Sequence, residues 1–388
     1  MAKFFGDLHI HIGRTSKGKP VKITASPKLT LENICKVALE QKGLDLVGIV
    51  DAACSGVLED LESLINSKRL EELSGGGCSF DGLIVFLGSE VELALRENGK
   101  EAHFLAYFPD LESTKRYAKA IEPWVTNSGL STQRLRLSPD EWVEIVDKSE
   151  GVVVAAHAFT PHKGVYGNCV TKLSDMFKEP YKISGLELGL SADTEMALRI
   201  SDTHNYPYLS NSDAHSLDRI AREFTTYELS TLDFHTWKTT LNTSIVSNHG
   251  LEPLLGKYYR SFCKKCGTLA SQNGPLYVCP TCDVEMTRGV WDRIMEIEDA
   301  TIHGVTRPPY IPHVPLFMLP SIGPRTYERM LKVLGTEIDI LYNLPLEEIN
   351  SQMGSQIMEL VSAVRKGQLR IIPGGGGNYG KVTKSKKR

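Results

Sequence analysis

From residue 1 to about 235, short apolar runs alternate with amphipathic stretches. FFGDLHIHI (4–12) alternates apolar and polar positions as a half-buried strand does, and LENICKVALEQKG (31–43) is amphipathic at helical spacing and stops on a glycine. LVGIVD (46–51), LIVFLGSEVEL (83–93) and HFLAYF (103–108) read as buried strands. SPDEWVEIVDKSEG (138–151) opens on a Ser-Pro cap signal and hands over to VVVAAH (152–157); GLELG (185–189) and PYLSNSDAH (207–215) complete the series. Strand–helix alternation over this length predicts an α/β fold with a mainly parallel sheet, open or closed. No internal repeat of fixed period is visible.

After about residue 245 the texture changes. A cysteine-rich module (256–290) is followed by the Pro-rich stretch RPPYIPHVP (307–315), a helical segment with a small-residue turn, LPSIGPRTYERMLKVLG (319–335), and the endings PGGGGNYG (373–380) and KVTKSKKR (381–388). The last of these reads as a disordered basic tail. The divisions expected are 1–245, 256–290, 291–372 and 373–388. With 388 residues, 41% of them hydrophobic, the chain can bury a sizeable core, and no apolar run is long enough for a membrane span. MAKFFGDLHI enters a strand at once and leaves no room for a signal peptide, so the expectation is a soluble, cytoplasmic protein. The net charge of −3 is unevenly spread: residues 253–388 carry 18 basic and 12 acidic side chains (+6), leaving 26 basic and 35 acidic (−9) before them. An acidic first part suits a site that collects divalent cations, and a basic second part suits phosphates.

The candidate chemistry lies where polar residues meet strand ends. His9 and His11 are two apart in an extended segment and face the same way, and Asp213 and His215 repeat the arrangement. Asp51 ends one strand, Glu90 lies in GSEVEL, His103 opens HFLAYF, and His157 ends VVVAAH. Glu187, in GLELG, is a charge inside an apolar strand. A single histidine at a strand end is ordinarily structural. Recurrence at successive strand ends, which converge in barrel and doubly wound folds, points to a metal site instead. Mixed imidazole and carboxylate donors suit Zn²⁺, Mn²⁺ or Fe.

DLHIH, GSEVEL, AAH and SNSDAH resemble the four signature stretches of the PHP (polymerase and histidinol phosphatase) superfamily. That resemblance implies a distorted β/α barrel holding two or three metals, with 1–245 as its catalytic domain. Carried over by position, His9, His11, Glu90 and Asp213 hold one metal, and Glu90, His103 and His157 a second; Asp51 and His215 belong to a third. Asp51 stands where a histidine is common, and IGRTSKG after His11 lacks a further histidine. Glu187 lines the pocket or bonds a backbone amide. A metal pair activates water and clamps phosphoryl oxygens, so no Ser or Cys nucleophile is needed. His162, in the loop AFTPHKGVYGNC (158–169), is a candidate to protonate the leaving oxygen, and equally a solvated loop histidine.

Cys263, Cys266, Cys279 and Cys282 form two CxxC pairs twelve residues apart, a strong signature of a closed, structural zinc site. Cys35, Cys54, Cys78 and Cys169 have no motif spacing and read as buried thiols. Lys264 and Lys265, in the first CxxC turn, present positive charge. LPSIGPRTYERMLKVLG resembles the second half of a helix–hairpin–helix motif, with Gly323, Arg325, Thr326, Arg329 and Lys332 as the DNA-facing residues. The alternative is an ordinary amphipathic helix after a turn. PGGGGNYG lacks the context of a phosphate loop and reads as a flexible connector whose Tyr379 touches DNA.

In length and order of parts the chain resembles the endonuclease Q family. That implies a DNA-repair endonuclease, cutting 5′ to deaminated bases (uracil, hypoxanthine, xanthine) and abasic sites in double- and single-stranded DNA. It also implies structural zinc, with Mg²⁺ or Mn²⁺ for catalysis and zinc a further candidate there. Base extrusion would place part of the pocket on loop 158–169, with Tyr166 in contact with the base. A sliding clamp or other repair protein stays open as a partner, with no clear peptide for it. Two other readings remain: a PHP phosphomonoesterase acting on small esters, and a non-catalytic DNA-binding protein with a decayed site.

Overall fold

The computed structural model describes residues 1–95, 99–270, 274–300 and 305–383. Among them a twelve-stranded sheet organises the chain. Its strands are β1 (Ala2–Ile10), β2 (Leu46–Ile49), β3 (Glu71–Glu72), β4 (Cys78–Phe80), β5 (Leu83–Ala94) and β6 (Glu101–Phe108). They continue with β7 (Val152–Ala155), β8 (Ile183–Glu187), β9 (Tyr208–Leu209), β10 (Phe224–Leu229), β11 (Ile245–Leu251) and β12 (Tyr310–His313). The order is β12-β11-β10-β1-β2-β5-β6-β7-β8-β9, with β3 and β4 forming a hairpin against β5. Beyond β9 the chain turns back onto β1: Ala214 bridges Ile10, and Leu8 N–H donates to Asn211 Oδ1 at 2.8 Å. The sheet thus curls into a distorted barrel.

The sheet is mixed rather than mainly parallel. β1, β2 and β5 run parallel, as do β7, β8 and β9, but β6 runs antiparallel to both β5 and β7, and β10 antiparallel to β1. The reason is local. Residues 95–100 are too few to carry the chain back across the sheet, so β6 returns beside β5 as a hairpin partner. Apolar periodicity is blind to this, because a strand reads the same in either direction.

Local signals set the flanking helices. Ser138 caps helix Pro139–Lys148 in a reciprocal capping box with Glu141, and Pro139 occupies the first turn. The helix Leu31–Val37 runs through a wide final turn to Gly43, whose φ of +79° ends it in the left-handed conformation that glycine adopts without strain. At Gly48 the constraint is space: a Cβ there would lie 2.3 Å from the Leu8 carbonyl oxygen, so β2 can press on β1 only with glycine at this position.

The helices Pro324–Leu334, Leu346–Met353 and Ser355–Arg365 share their own apolar core, including Leu316, Met330, Leu334, Ile349 and Val361. They are anchored to the barrel by a buried ion pair. Lys42 Nζ meets Glu337 Oε2 at 2.5 Å, while Glu337 also accepts from Leu316 N–H (2.7 Å) and the Tyr327 hydroxyl (2.9 Å). β12 arises within the Pro-rich stretch and pairs with β11; as the outermost strand it tolerates Pro312. Lys381–Thr383, read from sequence as the start of a disordered tail, pairs with Arg370–Ile372 in a two-stranded ribbon. Lys384, Lys386, Lys387 and Arg388 lie outside the described residues. Among the described residues no helix is long and apolar enough to cross a membrane.

Gly48→Ala should lower stability by about 1–3 kcal/mol, the usual cost of overpacking a filled interior. Thermal unfolding would show it; an unchanged midpoint would mean that β1 and β2 can separate freely.

Candidate metal centre

One rim of the barrel gathers the histidines and carboxylates. His9 and His11 leave the end of β1, Glu90 comes from the middle of long β5, His157 follows β7, and Asp213 and His215 follow β9. His103 arrives from the opening turn of β6, which reaches the same rim because that strand runs backwards. Three groups have donor atoms within 4.8 Å of one another: His9, His11 and Glu90; His11, Asp213 and His215; and Glu90, His103 and His157. Two of these residues hold unfavourable backbone angles, His157 at φ +30° and Asp213 at φ +47°. Such conformations persist only where surrounding contacts fix them, as they tend to at functional sites.

The imidazole orientations are set from behind. Glu187 accepts at 3.0 and 3.1 Å from His9 Nδ1, and takes His157 N–H at 2.7 Å. Asp51 does the same at 3.0 and 3.2 Å for His11 Nδ1, and takes Ile12 N–H at 2.6 Å. Both carboxylates therefore sit behind the rings, Asp51 included, and not beside the inward-facing nitrogens. The two Nε2 atoms are buried and have no hydrogen-bond partner. Instead they face acids: His9 Nε2 is 3.5 Å from Glu90 and 3.6 Å from Asp213, and His11 Nε2 is 3.4 and 3.5 Å from the same two. Orphaned buried nitrogens are rare, and a carboxylate behind each ring is the arrangement that turns a histidine into a metal ligand. The donor set fits divalent cations.

Glu90 is also 3.0 Å from His103 Nδ1 and 3.5 Å from His157 Nε2. Lys22, which the sequence gave no reason to single out, reaches in from the loop after His11. Its ammonium lies 3.1 Å from Glu90 Oε2 and bonds Thr132, whose hydroxyl donates to the same oxygen at 2.6 Å. Burial alone would raise the Glu90 carboxyl, but Lys22 and His103 outweigh it and hold it well below the usual range. Asp213 is likewise held low against its burial by His11 and His9.

A cavity of about 590 Å³ opens over these groups, walled by Lys22, Ile23 and Leu130 on one side and Lys163, Lys257 and Tyr258 on another. His162 stands at its mouth, its ring edge-on to Tyr258 at 4.9 Å. Partial burial, then the Lys264, Lys257 and Lys163 ammonium groups, push its pKa down, so the free ring is neutral near pH 7. Tyr166 does not line this space. It is fully buried, stacked on Phe159 with centroids 5.5 Å apart, and its hydroxyl donates to Asp202. The turn at 165–169 folds back beneath the loop and takes the ring into the core; Tyr258 is the aromatic that faces the cavity. A second cavity of about 220 Å³, lined by His162, Tyr258, Phe262, Lys264 and Arg288, adjoins the first.

The sulfur atoms of Cys263, Cys266, Cys279 and Cys282 also lie within 4.8 Å of one another, a set that fits a tetrahedral zinc. Cys35, Cys54, Cys78 and Cys169 are buried free thiols. Lys264 and Lys265 are exposed on the first turn. Gly323 caps helix Pro324–Leu334, with Arg325, Arg329 and Lys332 exposed and Thr326 half-buried. The segment before it, Leu316–Met318, is a single tight turn, so the helix–hairpin–helix likeness extends only to its second half.

Comparison with protein-family models finds no match. The uncharacterised protein YqxK of Bacillus subtilis (strain 168) is 38% identical over 388 residues, spanning 98% of this chain and 100% of that one. The uncharacterised protein MJ0043 of Methanocaldococcus jannaschii is 32% identical over 291 residues, 67% of this chain but 37% of its own length. The lesion-specific endonuclease PfuEndoQ of Pyrococcus furiosus superposes with a TM-score of 0.84, at 31% identity over 99% of this chain and 96% of that one. The chain belongs to the endonuclease Q family. A structure of endonuclease Q with a 27-mer duplex substrate, an abasic lesion at its active site, is equally similar: TM-score 0.84, 31% identity, 99% of this chain and 97% of that one. Membership in the endonuclease Q family makes this chain an endonuclease, and the histidine–carboxylate cluster makes it a metal-dependent one. The phosphomonoesterase and non-catalytic readings give way to it.

Two measurements test the site. His162 should titrate below the ordinary 6.5 in the free protein and move upward when a duplex binds, because phosphates favour the imidazolium; an NMR titration with a midpoint above 6.5 in free protein would contradict the surrounding charges. If the four cysteines hold a metal, Cys279→Ser should weaken its binding and melt residues 256–290 locally, seen as loss of one metal ion per chain and raised amide exchange there.

Proposed function

We propose that this chain is a DNA-repair endonuclease that hydrolyses the phosphodiester 5′ to deaminated bases and abasic sites. The observation that carries the reading is the paired, unpartnered Nε2 atoms of His9 and His11 facing Glu90 and Asp213. They lie in a chain that matches a lesion-specific endonuclease over 99% of its length.

In this reading His9, His11, Glu90 and Asp213 hold one cation, and Glu90, His103 and His157 a second. His215 completes a third group with His11 and Asp213. Asp51 and Glu187 orient the rings and keep Nε2 as the donor. Mg²⁺ or Mn²⁺, or zinc in their place, would supply water activation and charge neutralisation at the phosphoryl oxygens. The cysteines hold structural zinc.

The chain's own part is binding and orientation. Lys163, Lys257 and Lys264 line the approach and attract the backbone. The neutral His162 ring accepts a hydrogen bond or proton in the free enzyme, and donates one to the leaving oxygen only after bound phosphate has raised its pKa. Tyr258 offers an aromatic face to an extruded nucleotide, the role expected of Tyr166. A deaminated base pairs poorly, so it costs less to extrude than a normal one. Gly323, Arg325, Thr326, Arg329, Lys332 and Lys265 add contacts to the phosphates away from the cut, on double- and single-stranded DNA alike. The parts divide as 1–245 for chemistry, 256–290 for the zinc module, 291–372 for the helical grip, and 373–388 as the final segment.

With end-labelled duplexes carrying one uracil, hypoxanthine or abasic site, or none, and Mg²⁺ or Mn²⁺, the expected product is a single nick just 5′ of each lesion. Asp213→Asn should reduce it by more than about 100-fold, the upper end for losing even an outer partner of a metal ligand. Equal cutting of undamaged DNA, or full activity in Asp213→Asn, would refute the assignment.

A further inference from the structure

The glycine-rich segment 373–380 is not a loose connector: it is exposed at Pro373 and over 376–378, but buried at Gly374 and Gly380 and tied to a neighbouring strip of backbone. Gly374 N–H donates to Leu254 O at 2.8 Å, Gly380 N–H to Leu255 O at 2.9 Å and Gly377 N–H to Lys257 O at 3.1 Å, stitching the segment along the strip just before the cysteine module. Tyr379 is thereby set half-buried among cations: Arg219, Arg222 and Lys257 lie 5.5, 5.7 and 5.8 Å from its ring centroid. Its hydroxyl oxygen accepts from Arg222 Nη1 at 2.6 Å.

Arg222 is 5% exposed, and its other two contacts reach the metal rim. Nε donates to Ser212 O at 2.7 Å and Nη2 to Asp213 O at 3.1 Å. A planar guanidinium that grips two successive carbonyls ties down the two peptide planes on either side of the Asp213 Cα, and with them the direction in which the Asp213 side chain leaves the backbone. That backbone needs fixing, because Asp213 is in the left-handed region.

We infer that Tyr379 and Arg222 are positioning residues for Asp213: the C-terminal segment props the guanidinium, and the guanidinium aims the carboxylate into the cation site. This rests on Asp213 being a metal ligand, as proposed above. Removing the phenol leaves the buried Arg222 guanidinium short of one acceptor and free to tilt, so the damage passes to Asp213 although Tyr379 does not line the cavity over the rim. A DNA-contacting Tyr379, the role its sequence context suggests, predicts weaker DNA binding with an intact cation site.

The test separates the two. Tyr379→Phe, Tyr379→Ala and Arg222→Lys are compared with wild-type holoenzyme for nicking of an abasic duplex (kcat and KM), for Mn²⁺ affinity without DNA by electron paramagnetic resonance, and for thermal midpoint. Tyr379→Ala and Arg222→Lys should lower kcat and weaken Mn²⁺ binding by about 10- to 100-fold, the range for outer partners of metal ligands, with KM and midpoint near wild type. Tyr379→Phe, which keeps the ring and loses only the acceptor, should show a smaller change of the same kind. Unchanged kcat and Mn²⁺ affinity, or an effect confined to KM, would overturn the inference. Should Tyr379→Ala fail to fold, the other two variants decide. A wild-type protein that binds Mn²⁺ and nicks nothing would sink the repair reading while the Mn²⁺ arm still judged the prop.

Discussion

A carboxylate buried in the middle of a strand has to be balanced by positive charge, and Glu90 imposes that demand on everything around it. Burial of an ionised acid costs several kcal/mol without partners. His9, His11, His103, His157 and Lys22 all lie within 3.5 Å of its oxygens, delivered by different strands and loops. The barrel is the device that makes this convergence affordable, because strand ends meet at one rim while their apolar flanks fill the core. Cations satisfy the same demand with fewer protons, so the electrostatics that complete the fold are those that make it a phosphodiesterase site.

Orientation is the second half of the design. Nothing in the first circle of donors determines which nitrogen of His9 or His11 faces inward; Glu187 and Asp51 do so from behind. Glu187 links two residues at once, since besides His9 it takes the main-chain N–H of His157 and so helps hold that residue at its unfavourable φ. Backbone strain thus sits at His157 and Asp213 on the rim, and the carboxylates that anchor the rings sit behind it.

The parts of this arrangement that repeat every two residues along a strand were legible in the sequence. His9 with His11 needed only the extended backbone to be placed together, and the paired cysteines only their spacing; Asp213 and His215 also reach the rim, but beyond β9 and with Asp213 left-handed (φ +47°), not in the extended segment that their spacing suggests. Helix Pro139–Lys148 was legible from its cap, and Gly43 from its position after an amphipathic run. What escaped was whatever depends on the path of the chain. The reversal of β6 leaves no mark on HFLAYF, although it brings His103 to the rim from the wrong end of its strand. Lys22 and Thr132 lie on irregular loops with no period to betray them. Tyr166 follows His157 closely in sequence, yet the turn carrying it folds inward, and the cavity receives Tyr258 from much later in the chain. The glycine run looked unstructured because its order comes from distant carbonyls.

The ion pair between Lys42 and Glu337 bears on how such a chain can be inherited. Lys42 closes the first helical stretch and Glu337 precedes the last described helices, so two widely separated portions of the sequence encode the two halves of one buried charge pair. Exchange of the C-terminal third for an unrelated DNA-binding unit would strand an ammonium in the barrel wall, and deletion would leave it facing a vacated apolar surface. Recombination at the seam after the barrel would carry that cost wherever the join fell. A lineage carrying this pair is expected to transmit the catalytic barrel and its helical appendage as a single block.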